Sequence, residues 1–244
     1  MSWFEVVLLL VGGAFAGAVN AMAGGGSTLT VPLLVIAGLE GNVANGSNRV
    51  GILTSAVSTA ASFRNEGVKV TRELAPIIGP GLVGAPLGAF VIDRFTDDAF
   101  ERFFGLLMIP IILLTIFRPK VKEDADPWPL AVTIIVFFAI GVYAGAIQAG
   151  VGLILLAALS RAGLDLVGAN LIKILFTLFV TVIALGVFLA QGNVRWAPAI
   201  VLAVGLSLGG WIGAKFAVRG GEQWIRAVMV VAAVALAIRL IFFS

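Results

Sequence analysis

The sequence predicts an all-α, polytopic membrane protein made of two duplicated units, each with about four to five membrane segments. Hydrophobic residues make up 60% of the chain, charged residues only 12%, and the mean hydropathy is +1.11. The glycine-rich stretch AGAVNAMAGGGS at 16–27 recurs as AGAIQAGVG at 144–152, which indicates that one unit occurs twice. We expect inverted repeats, with broken or re-entrant helices at these two motifs.

Long apolar runs support the membrane assignment, because about 20 apolar residues cross a bilayer core as a helix. The first run begins without a Lys/Arg-rich segment, so we expect no cleaved signal peptide. The runs cover residues 4–19, 50–63, 74–92, 103–117, 129–148, 171–190, 197–216 and 225–243.

The composition also limits the chemistry. Cys and His are both absent, which excludes a CxxC redox centre, a His-ligated metal and a Ser/His/Asp triad. We therefore expect no enzyme, no metal and no cofactor. A net charge of +3 is modest for a membrane protein, in which Lys and Arg collect in cytoplasmic loops, so nucleic-acid binding is not implied.

The duplication extends well beyond the glycine motif. Asn20 corresponds to Gln148, and after the glycines Gly25 corresponds to Gly150 with an offset that then persists, so that Gly84 meets Gly209. The chain therefore divides into a first transmembrane repeat at 1–117, a charged linker at 118–128 and a second transmembrane repeat at 129–244.

Each unit contains a short apolar stretch after its glycines, at 29–39 and 153–162. About a dozen helical residues rise only about 18 Å, which is too little to cross the core, so these stretches are predicted to be half-helices or re-entrant arms. The cationic loops also change place between the units, from 64–72 in the first to 215–226 in the second. This pattern favours inversion with both termini outward; two parallel four-span units are the alternative.

The two glycine breaks form the candidate substrate site. Non-helical backbone at membrane depth is tolerated only where it is buried in protein or lines a polar cavity. Free N–H groups at the start of the following helix attract anions. The alternative is that the glycines only permit close helix packing. The predicted ligand contacts at the breaks are Asn20, Gly24, Gly25, Gly26, Ser27, Thr28, Gln148, Gly150 and Gly152.

Two cations stand at the predicted entrances to apolar runs, Arg49 after Asn48 in the first unit and Lys173 in the second. Ionisable groups at membrane depth are costly and indicate function, so all three residues join the predicted site. The alternative is that the two long side chains snorkel to the interface. No acidic residue lies in the middle of a predicted span, since Glu5, Asp93 and Asp165 are all at predicted ends; this argues against coupling through a buried carboxylate and favours an anion as ligand.

A stripe of small residues at helical spacing is predicted to be a packing surface, either inside the bundle or across a homodimer interface. The stripe comprises Gly81, Gly84 and Gly88 in the first unit and Gly205, Gly209 and Gly213 in the second.

The segment AGAVNAMAGGGSTLTVPLL with the downstream VANGSNRV, and the weaker second copy AGAIQAGVG with GANLIK, resembles the sulfite exporter TauE/SafE family. The resemblance covers nearly the whole chain. It implies a multi-pass permease in the inner (plasma) membrane of a bacterium or archaeon, for sulfur-containing anions such as sulfite and sulfoacetate. The family pattern carries over to Asn20, the three glycines at 24–26, Asn48 and Arg49, and in the second copy to Gln148, Gly150, Gly152 and Lys173.

We therefore expect a secondary transporter that binds a small anion between the glycine breaks near the bilayer midplane. An anion channel with the same site is the first alternative, and a membrane-embedded enzyme the second. The expected partners are the small anion and the lipid bilayer, with a homodimer as a candidate assembly.

Overall fold

The protein is a bundle of helices in a computed structural model that describes residues 1–69, 74–116, 128–160 and 166–242, with side chains in the last range described up to residue 219. These ranges contain no strand, and the prediction of an all-α fold is confirmed for them. The helices are α1 (Trp3–Ala23), α2 (Ser27–Ile36), α3 (Gly41–Asn65), α4 (Ala75–Asp93), α5 (Asp97–Ile116), α6 (Leu130–Ala146), α7 (Val151–Ser160), α8 (Leu166–Ala190) and α9 (Trp196–Phe242).

Four of the described helices are long and apolar enough to cross a membrane, at Trp3–Met22, Ala75–Asp93, Val167–Ala190 and Trp196–Arg219. The short helices α2 and α7 have 10 residues each. Of the predicted linker at 118–128, only Trp128 lies within the described residues. The inverted relation of the two units remains a prediction.

Two predicted boundaries were wrong in the same direction. Helix α3 begins at Gly41, well before the predicted start at residue 50, and α8 begins at Leu166 instead of residue 171. Polar residues such as Asn42 and Asn45 resemble a loop in a hydropathy profile. In the folded chain both are buried, so the helix extends through them.

Helix α9 continues through Gly220 and Gly221, where the sequence predicts a division between spans 197–216 and 225–243; the candidate span within it ends at Arg219. A helical glycine costs about 1 kcal/mol relative to alanine, but it keeps its N–H and so does not end the helix.

The two units interlock. Helix α1 packs along α9, and α6 packs along α4, so the first helix of each unit lies against a long helix of the other unit. Helices α3 and α8 contact each other at the centre. The small-residue stripe accounts for these close contacts, because a Cβ on Gly88 would overlap the Val142 carbonyl and one on Gly209 would overlap the Ala14 carbonyl. The stripe thus packs inside one chain; a homodimer remains a prediction.

The contacts correct the matching of glycines between the units. Gly84 lies against the Phe138 carbonyl, and Gly205 lies against the carbonyl of Leu10, the residue equivalent to Phe138. Gly84 therefore corresponds to Gly205 and not to Gly209. The difference is about one helical turn of 3.6 residues, because the connection from α3 to α4 is longer than the connection from α8 to α9.

Replacing Gly88 by alanine is expected to destabilise the bundle by about 1–3 kcal/mol, because the new methyl group must push backbone away. The matched control is Gly186→Ala in α8, where no atom lies within 4 Å of an added Cβ. Thermal unfolding of the purified protein in detergent measures both. Equal melting temperatures for the two variants would contradict the packing role.

Candidate substrate site at the paired helix breaks

The two glycine breaks meet inside the bundle. Helix α1 ends at Ala23 and is followed by Gly24, which is left-handed at φ 78°. The second break turns at Gln148 and Gly150, with φ of 67° and 70°. A Cβ on Gly24 would lie 2.5 Å from the Gly152 carbonyl carbon, and one on Gly152 would lie equally close to Gly24. The two breaks are thus in backbone contact, and no side chain fits between Gly24 and Gly152.

Hydroxyl groups of the first break also connect the two breaks. The Ser27 Oγ accepts a hydrogen bond of 3.2 Å from the Gly150 N–H, across the two units. The Thr28 hydroxyl donates to the Gly25 carbonyl at 2.6 Å and so closes the first turn of α2. Ser27, which the sequence predicts as a ligand contact, here caps the other break.

The predicted glycines divide into two kinds. A Cβ on Gly26 would overlap the Ala16 carbonyl, and Gly152 meets Gly24, so both serve close packing. Gly25 is different, because a Cβ there would meet only the Leu153 side chain, at 3.7 Å. Gly26 and Gly152 therefore fit the alternative prediction, in which the glycines only permit close helix packing. Gly25 does not, because there is space beside it.

Arg49 lies in the third turn of α3 and its side chain is fully buried. Its Nη1 donates to the Ala144 carbonyl at 2.5 Å and to Gln148 Oε1 at 2.9 Å, and its Nη2 donates to the Gly145 carbonyl at 2.7 Å. The guanidinium also lies over the Phe188 ring, 5.4 Å from its centroid. These carbonyls form the C-terminal end of α6, where a helix carries partial negative charge, so Arg49 caps the broken helix of the other unit.

Lys173 does the same from α8. Its side chain is 1% exposed, and its Nζ donates to the backbone carbonyl of Asn20 and to Asn170 Oδ1, each at 2.7 Å. Asn20 lies in the last turn of α1, so the second cation holds the broken helix of the first unit. Both cations thus lie inside helices and are buried in the protein, not at the entrances to spans as the sequence suggested.

Two amides missing from the predicted site complete these caps. Asn45 donates from Nδ2 to the Ala146 carbonyl at 2.8 Å, and Asn170 donates to the Met22 carbonyl at 3.1 Å. Each precedes its cation by about one helical turn, which is the sequence signal that would have found them. Tyr143, the single tyrosine of the chain, adds a hydrogen bond from its hydroxyl to the Ala149 carbonyl.

Several buried polar atoms at the site have no partner. Both side-chain amide atoms of Asn48 are unpaired although the residue is fully buried, and so are Asn45 Oδ1 and Arg49 Nε. Buried polar groups normally have partners, so a cluster of unpaired ones marks a place for water or ligand. Among the described side chains, an ion pair joins Glu66 to Arg219 at the surface. No group of acidic residues among them is arranged to bind a metal ion.

A cleft of about 360 Å³ opens near the starts of α1, α3 and α9, and contains none of the predicted site residues. Its lining residues are Met1, Glu5, Ala37, Gly38, Leu39, Glu40, Val43, Arg195 and Pro198.

Replacing Arg49 by lysine keeps the charge but removes the planar fork that reaches two carbonyls and an amide at once. We expect a loss of about 1.5–3 kcal/mol of stability for each hydrogen bond to the charged group that lysine cannot make. The matched control is Arg94→Lys, since Arg94 is exposed and lies over the Phe90 ring. Thermal unfolding measures both, and an Arg49→Lys variant as stable as the wild type would contradict the capping role.

Comparison with known proteins gives the family. The family model for the sulfite exporter TauE/SafE matches residues 9–240. A probable membrane transporter protein, ORF9, from a Sinorhizobium species is 28% identical over 99% of this chain and 94% of its own length. The probable membrane transporter protein YfcA of Escherichia coli K12 is 27% identical over 100% of this chain and 94% of its own length. No solved structure matches the chain. The match over nearly the whole length means that the chain belongs to the sulfite exporter TauE/SafE family.

Proposed function

We propose that this membrane protein is a secondary transporter for a small anion, bound between the two glycine-rich breaks near the bilayer midplane. One observation carries the proposal. Each unit contributes one buried cation, Arg49 or Lys173, which points at the break of the other unit and has no carboxylate partner among the described side chains.

The energetics favour an anionic ligand. Burying a charge is expensive unless it is paired, and the acceptors now available to the two cations are neutral carbonyls and amides. A ligand oxyanion is a stronger acceptor than a carbonyl, because hydrogen bonds between ionised groups are roughly twice as strong as neutral ones. An anion therefore gains more from Arg49 and Lys173 than the present partners do.

The unpaired groups suit the same ligand. Arg49 Nε and Asn48 Nδ2 are buried donors without acceptors, and they belong to neighbouring residues of α3. A compact oxyanion with several oxygens takes up such donors together, whereas a neutral solute does not. The starts of α2 and α7 add the partial positive charge of helix N-termini, although the N–H groups of Thr28, Leu29, Val151 and Leu153 already donate to carbonyls of the breaks.

Substrate exchange gives a route to alternating access. The cations, Ser27 and the two amides at Asn45 and Asn170 hold the breaks together in this structure. An anion that takes over the donors of Arg49 and Lys173 releases the ends of α6 and α1. A ligand shifts a conformational equilibrium by its differential affinity for the two states. Here the two states differ in whether Arg49 and Lys173 donate to the helix ends or to the anion.

The proposed substrate is sulfite or an organosulfonate such as sulfoacetate, in the inner membrane of a bacterium or archaeon. The family description supports the choice of sulfite. The relatives are described as probable membrane transporters without a named substrate.

Transport of labelled sulfite or sulfoacetate into proteoliposomes tests the proposal. We expect saturable uptake that is accelerated by unlabelled anion on the other side. Arg49→Gln and Lys173→Gln should each lower the affinity for the substrate about thirtyfold or more, because truncating one partner of a buried charge pair costs about 2–5 kcal/mol. The controls are Arg94→Gln and Lys69→Gln, which remove exposed cations.

The outcomes separate the alternatives. Flux that neither saturates nor shows counter-transport would make the protein a channel, and conversion of the anion without transport would make it an enzyme. Unchanged affinity in both Arg49→Gln and Lys173→Gln would overturn the roles assigned to these residues.

A further inference from the structure

Two asparagines of α3, Asn45 and Asn48, carry unpaired acceptor atoms close to Arg49. Both residues are fully buried. The Oδ1 of Asn45 has no hydrogen-bond partner, and neither side-chain amide atom of Asn48 has one. This part of the site therefore holds two buried oxygens that need a hydrogen-bond donor, in addition to the donors that suit an anion.

The hydrogen bonds around these oxygens establish that they are acceptors. The Asn45 Nδ2 donates to the Ala146 carbonyl at 2.8 Å. Only the amide nitrogen can face a carbonyl oxygen, so the Asn45 Oδ1 must face elsewhere. Asn48 offers one donor and one acceptor in either orientation of its amide, because both of its atoms are unpaired.

The unpaired atoms lie on one face of α3. Asn45 comes three positions before Asn48 and four before Arg49, and helical side chains at these spacings are neighbours with Cβ atoms about 5–6 Å apart. Asn45 and Arg49 also reach the same feature, which is the C-terminal end of α6. The two asparagine oxygens, the Asn48 Nδ2 and the Arg49 Nε thus belong to one patch, about one helical turn in length.

We propose that this patch recognises a hydroxyl group on the transported anion, and that Asn48 is the residue that determines this specificity. The inference rests on the proposed anion transport and specifies a feature of its substrate, an O–H group close to the charged head. The charged head accepts from the Arg49 Nε and the Asn48 Nδ2. The ligand hydroxyl donates to an asparagine oxygen of the patch.

The unpaired acceptors explain why a hydroxyl matters. An anion without a hydroxyl only accepts hydrogen bonds, so it leaves the oxygens of Asn45 and Asn48 without a donor. A buried polar group without a partner costs free energy. For this reason, sites that bind a substrate hydroxyl reject the analogue without it far more strongly than apolar pockets discriminate by size.

Anions of equal charge and similar shape test the inference on the purified full-length chain in nanodiscs. Glycolate is compared with propionate, and isethionate with propane-1-sulfonate, because each pair exchanges a hydroxyl for a methyl group. Isothermal titration calorimetry at equal ionic strength measures the four affinities, with sulfite as the reference anion. We expect each hydroxylated anion to bind about tenfold or more tightly than its partner, a free-energy difference of about 1.4 kcal/mol.

One variant tests the assignment to Asn48. Asn48→Leu replaces the amide by apolar methyl groups, and the preference in both pairs should fall to about twofold or less, mainly through weaker binding of the hydroxylated anion. The matched control is Thr181→Val, because the Thr181 Oγ1 is also buried and unpaired but belongs to α8. This control should keep the wild-type ratio.

The results separate this inference from the proposed function. If sulfite binds and the methyl member of either pair binds as tightly as the hydroxylated one, the hydroxyl selection is overturned and an anion carrier still stands. Binding of none of the five anions would remove the proposed function and this inference together.

The variants decide which residue is responsible. An undiminished preference in folded Asn48→Leu protein, or an equal loss of preference in Thr181→Val, would contradict the role of Asn48. If Asn48→Leu does not fold, the two ligand pairs on the wild-type chain still decide whether a hydroxyl is selected.

Discussion

The reciprocal capping of the two broken helices is the interaction on which the structure depends. A helix that stops inside an apolar bundle leaves carbonyls that water cannot reach, and each unpaired one costs free energy. The α6 end is held by Arg49 and Asn45, and the α1 end by Lys173 and Asn170. Since these four caps come from the other unit, each broken helix end depends on the opposite half of the chain for its partners.

Close helix packing makes this reach across the bundle geometrically feasible. Glycines such as Gly88 and Gly209 bring α4 against α6 and α9 against α1 at backbone distance. Hydroxyl groups then fasten α3 to α9, with Ser55 and Ser62 donating to carbonyls of α9. Helices α3 and α8 are thereby fixed at the centre, where an arginine or a lysine side chain is long enough to meet the opposite break.

The sequence was sufficient to predict the all-α class and the family. It was insufficient where the answer depended on partners distant in the chain. The polar start of α3 resembles a loop until Asn42 and Asn45 are seen buried among other elements. The constant offset between the two copies also missed a shift of about one helical turn. The correspondence of Gly84 with Gly205 follows only from the carbonyls that the two glycines contact. The spacing of Asn170 one turn before Lys173 marks it as a site residue, but the carbonyl that it caps belongs to α1, far away in the chain.

The same donors serve stability and the proposed binding, and this sharing constrains the mechanism. If Arg49 and Lys173 had no partners in the empty protein, the buried charges would strongly destabilise it. If a carboxylate paired them, an incoming anion would have to displace an equal competitor. Neutral carbonyls lie between these extremes. They form hydrogen bonds that stabilise the buried cations in the folded chain, and an anion, as a stronger acceptor, can replace them. Because those carbonyls are the ends of α1 and α6, an anion that replaced them would also release the helix breaks, so the proposed binding would be linked to movement.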